Sequence, residues 1–122
     1  MPREFVILSP RMPDDASFHA ATLALSSPDL TPLSITLDAG GLLARFHTAE
    51  IDRVLTVLHP RVAASGDELD RLVPAHPPVS FVGDRWWTDA VAPWGPDGEL
   101  GERLAAALAE ALGGQLFALR EP

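Results

Sequence analysis

The sequence predicts an α+β fold, a mostly antiparallel sheet with helices packed on one face in the order β-α-β-β-β-α-β-α-β. Three observations carry that prediction. An unbroken apolar run, Phe5-Val6-Ile7-Leu8, opens the chain as a buried strand. Two alternating runs, 33–38 and 42–47, are joined by Ala39-Gly40-Gly41, the pattern of a β-hairpin. Leu100, Leu104, Leu108 and Leu112 then recur every fourth residue, which makes an amphipathic helix near the end. Helices and strands in this mixture pack as one layer on another, and 122 residues suit one domain over 1–122. A β-α-β unit at each end also fits a ferredoxin-like relative.

Each element has its local reason. The first strand stops at Ser9-Pro10, and Asp14 caps a helix bearing Phe18, Ala21, Thr22 and Leu25, which Ser26-Ser27-Pro28 ends. In the hairpin, Leu33, Ile35 and Leu37 face one way while Ser34, Thr36 and Asp38 face the other. Leu42, Ala44 and Phe46 alternate likewise against Leu43, Arg45 and His47. Residues 49–59 fit two patterns: Ile51, Val54, Leu55 and Leu58 form a helical stripe, yet Val54, Thr56 and Val57 are β-branched. Pro60 stops either one, and the reading taken is a third meander strand over 53–59.

Ser65 and Glu68 make a capping box for a short helix presenting Leu69, Leu72 and Val73. A stiff loop, Pro74 to Pro78, leads to an extended stretch at Val79–Val82 and then to a strand through the tryptophans. Pro96-Asp97-Gly98 starts the last helix, with Ala107 and Ala111 beside its leucines. Gly113-Gly114 ends it, and Leu116–Leu119 closes the chain as a strand.

Composition excludes several chemistries. The chain has no Lys, Cys, Tyr or Asn, and all nine of its basic residues are Arg. That bias matches a GC-rich bacterial genome. It leaves no thiol nucleophile, disulfide or thiolate metal site, no Schiff base, and no tyrosine acid or base. A formal charge of −8 opposes binding to nucleic acid or to an anionic membrane and would steer a cationic protein partner inward. No apolar run is long enough for a signal peptide core or a membrane span, so a cytoplasmic protein is expected.

The segment GDRWWTDAVAPWG, 83–95, holds all three tryptophans. Alternation puts Trp86, Thr88, Ala90, Ala92 and Trp94 on one face, with Trp87, Asp89 and Val91 on the other. One of the adjacent tryptophans enters the core, and the other meets a second layer, a partner or water. Trp94, between Pro93 and Gly95-Pro96, is expected to plug the strand-to-helix junction. Asp84, Arg85 and Asp89 flank the pair, the single place where charge meets aromatic surface, so Asp84, Arg85, Trp86, Trp87 and Asp89 form the candidate partner-binding site.

His19, His47, His59 and His76 lack metal-motif spacing, although His47 and His59 could be neighbours if their strands pair. Neither Ser9 nor Ser80 sits in a nucleophile elbow. Neither a catalytic residue, a metal nor a cofactor is assigned.

The start PREFVILSPR, with WWTDA followed by an Ala/Leu-rich helix and LGG plus an apolar strand, resembles small acidic proteins of GC-rich, actinomycete-type bacteria. Those relatives have no established activity, so the resemblance implies no catalytic residue. It does imply a strand over 53–59.

The expectation is a non-enzymatic protein-binding module, of immunity or secretion-accessory type. One alternative is a small cofactor-independent monooxygenase- or cyclase-like enzyme with an apolar pocket. Another is a homodimer whose Trp surface is only the subunit interface.

Overall fold

The computed structural model describes residues 3–26, 32–38, 40, 43–63, 67–73, 85–93, 95 and 97–119. Its elements run β1 (Arg3–Ser9), α1 (Asp15–Ala24), β2 (Ser34–Asp38), β3 (Leu43–His47), β4 (Leu55–Leu58), β5 (Arg61–Ala63), α2 (Asp67–Leu72), β6 (Arg85–Ala92), α3 (Asp97–Ala111) and β7 (Gln115–Ala118). The expected α+β class and the order of elements are met, with β5 as an addition. The Ser65 cap, the stretch 79–82, Asp84 and Trp94 lie outside the described residues.

One antiparallel sheet of seven strands has the order β2-β3-β4-β6-β1-β7, with β5 also paired to β6. Both β6 and β7 run antiparallel to β1, so β6-α3-β7 is a β-α-β unit split by the first strand. That central place explains the opening apolar run. Phe5 and Ile7 enter the larger core cluster on one face, whereas Val6 and Leu8 enter the smaller cluster on the other. A strand covered on both sides needs no polar alternation.

The larger cluster lies under α1 and α3. Phe18 of α1 meets Phe46 of β3 edge to face, with ring centroids 5.5 Å apart. Asp14 caps α1: its carboxylate accepts from the Ser17 amide, while the Ser17 hydroxyl accepts from the Asp14 amide, both at 2.9 Å. Along α3 the buried row beside Leu104, Leu108 and Leu112 is Gly101, Ala105 and Ala109, not the expected Ala107 and Ala111, which are only half-buried. Small residues there bring the helix backbone close to the sheet. A Cβ on Gly101 would strike the Val54 carbonyl oxygen and the Ala92 methyl. Gly113, at φ +68°, ends the helix, its amide bonding Glu110 and that of Gly114 bonding Ala109.

The helices do not all share the one face expected from the sequence. α1 and α3 take that face, but Leu69 of α2 joins Val6, Leu8, Ala63, Trp87 and Phe117 on the opposite one.

Residues 49–59 divide between turn and strand. Thr48 Oγ1 accepts from the amides of Glu50 and Ile51, closing a turn that leads into β4. Beyond β4, Val57 opposes Ala90 while Arg61 opposes Trp87, so four steps along one strand match three along the other. This is a one-residue bulge at 58–60, where Pro60 has no amide to donate. It turns the chain over: Val57 faces the large cluster and Ala63 the small one, despite their even spacing.

Candidate functional site

The tryptophan strand divides as alternation requires. Trp87 lies on the α2 face and is 1% exposed. Its indole Nε1 donates to Asp89 Oδ1 at 3.1 Å, two residues along on the same face. The Arg61 guanidinium lies 4.8 Å from the ring centroid, held there by direct cross-strand pairing. Every part of this indole is thus occupied: packed against Val6, Leu8 and Leu69, bonded at nitrogen, and covered by a cation. Trp87 is the tryptophan that enters the core.

Trp86 faces the other way and is half-buried. It stands opposite Ser9 on β1 and Val62 on β5. Val62 is 51% exposed, so an aromatic and an apolar side chain share accessible surface at this end of the sheet. Arg85 pairs with Ala63 through its backbone, and its side chain lies outside the described residues, as does all of Asp84. The structure therefore brings Trp86, Trp87 and Asp89 onto one strand but divides them between its two faces. Asp89 serves Trp87.

Farther along the same strand, Thr88 is fully buried opposite Ile7, and its hydroxyl has no hydrogen-bond partner among the described residues.

The other histidines fall elsewhere. Register puts His47 and His59 toward opposite ends of the β3–β4 ladder, so the pairing considered from sequence is not made. His47 Nε2 meets the Thr36 hydroxyl at 2.8 Å on the polar face of the hairpin. Beside it, Arg45 bonds Asp38 and Asp52, each at 3.1 Å. Among the described residues no three His, Asp or Glu side chains gather as a metal site.

Sequence reasoning missed a cleft of about 180 Å³ where the start of α1 overhangs the β2–β4 hairpins. Met12, Phe18, Leu37, Ala44, Val57 and Leu58 form its apolar lining, and Asp14, Asp15 and His59 its polar groups. The bulge makes one wall, because His59 and Pro60 leave the ladder there. Asp14 keeps its carboxyl below the ordinary carboxylate value, chiefly through the Ser17 backbone bond; burial is the next-largest effect and opposes it, while the Ser17 hydroxyl and the Arg11 charge lower it further. Met12 is 43% and Leu37 57% exposed, so the cleft mouth is apolar and open. Its walls come from stretches more than forty residues apart, and only the exposed apolar alternation of β2 hinted at it.

No family model, no curated protein and no solved structure matches this chain. No helix among the described residues is long and apolar enough to cross a membrane.

Proposed function

We propose that this chain is a non-enzymatic protein-binding module of the bacterial cytoplasm, of immunity or secretion-accessory type, with Trp86 at its contact surface. The observation that supports it is the pairing of half-buried Trp86 with exposed Val62 across β5 and β6. Tryptophan offers large contact area with few rotors, and a neighbouring apolar side chain excludes water around it. The ladder beneath is fixed by Trp87 in the core, so the patch is presented without ordering cost. The net charge of −8 favours encounter with a cationic partner.

The enzyme reading has less support. The cleft holds His59 but neither Trp86 nor Trp87, and about 180 Å³ is small beside the roughly 300–1,000 Å³ of small-molecule sites.

The test is capture from a lysate of the source organism, with wild type beside Trp86→Ala and Val62→Asp, each shown to be folded by circular dichroism. A stoichiometric partner held by wild type and lost by both variants is the expected result. Equal retention by the folded variants overturns the Trp86 contact. If wild type brings down only its own copies, the patch is a subunit interface instead.

A further inference from the structure

We infer that the cleft beneath the start of α1 receives one apolar side chain of a protein partner, flanked in that partner's sequence by arginine or lysine. This rests on the protein-binding reading and specifies the chemistry of what is bound.

Three features combine. The cleft's size suits a single anchoring side chain better than a free metabolite. The floor is apolar, built from Phe18, Ala44 and Val57, and the exposed Met12 and Leu37 stand at the mouth. Its charge is of one sign: among the described residues lining it are Asp14 and Asp15, with no Arg. Arg11, outside the lining, donates to the Ala111 carbonyl at the end of α3, and its charge offsets part of that of Asp14. An acidic partner would meet two carboxylates with no Arg among the lining residues, a several-fold penalty in affinity; a basic flank would meet both. The helix dipole does not reverse this, because Asp14 and Asp15 already satisfy the positive end of α1.

Nitrogen-15-labelled full chain, titrated with two short peptides, tests the inference. One carries Arg-Leu-Arg in a Gly/Ser frame, and the other Glu-Leu-Glu in the same frame. The basic peptide is expected to shift the amides of Asp15, Phe18, Ala44, Val57 and His59 saturably. Its affinity should fall about tenfold in Asp14→Asn/Asp15→Asn, and fall again in high salt. Asparagine caps helices as well as aspartate does, so that variant keeps its fold. Leu37→Arg, at an exposed position, should abolish the response by placing a like charge at the mouth.

Absence of saturable shifts at the cleft, or an equal response to the acidic peptide, overturns the inference. Shifts centred on Trp86 and Val62 overturn the cleft assignment while leaving the protein-binding reading standing. That reading is tested separately by the capture experiment, which reads the Trp86 side.

Discussion

Arg61 and Trp87 are direct cross-strand partners whose side chains stack, the guanidinium 4.8 Å from the ring centroid. The two contribute unequally. Trp87→Ala empties the centre of the smaller core cluster and should cost about 3–5 kcal/mol, whereas Arg61→Ala at an exposed position should cost about 0.5–1 kcal/mol. Chemical denaturation of the two variants checks the ratio. Trp86→Ala should be destabilised far less than Trp87→Ala, and near-equal losses would contradict the division of faces.

Gly101 should resist the usual helix repair. Replacing an interior helical glycine by alanine ordinarily gains about 1 kcal/mol. Here the new methyl meets the Val54 carbonyl and the Ala92 side chain, neither of which can swing away. Gly101→Ala is expected to destabilise by about 1–3 kcal/mol, read from the urea midpoint. A stabilised variant would show that α3 sits farther from the sheet.

Thr88→Val is expected to stabilise. The hydroxyl is fully buried and unpartnered among the described residues, so removing it relieves a desolvation cost at unchanged shape. The gain should be about 1 kcal/mol, visible in the melting temperature. A loss would reveal a hydrogen-bond partner for Oγ1.

Asp14 links stability to pH. Its carboxyl is depressed in the folded chain, chiefly by the Ser17 backbone bond, so the stabilisation is full above the unfolded carboxylate value. It is lost as pH falls through the lower folded value. The melting temperature of Asp14→Ala should therefore trail wild type by a constant margin above about pH 5, and the margin should close in more acidic buffer. A margin unchanged through acid pH would refute the cap's charge dependence.

Much of the architecture was legible because the local signals agreed with one another. The first strand, the hairpin, the Asp14 cap and the glycine stop of α3 all stand where residue chemistry put them. Alternation also fixed that Trp86 and Trp87 must point apart. It could not say which is buried, since that depends on α2 crossing to the second face, a tertiary choice without a local signature. The bulge was hidden for a similar reason: Pro60 marks a break, but the one-step shift exists only in pairing with β6. The burial of Ala105 and Ala109 has no local signal, because the leucine repeat alone does not set which flank of the stripe leans on the sheet. The cleft needed residues 12–18, 37, 44 and 57–60 together, and no window along the chain contains them.

The split β6-α3-β7 unit has a consequence for how the molecule is made. β1 is made well before both strands that flank it, which lie about 80 and 110 residues further along the chain. Until they arrive, Phe5-Val6-Ile7-Leu8 is an unpaired apolar strand available to any other nascent edge. The hairpins of β2, β3 and β4 can form from local contacts during synthesis, while the central strands must wait and close last. Closure of the centre therefore waits on α3 and β7, and the Leu119 amide donates to the Glu4 carbonyl at 2.8 Å just beyond that last strand.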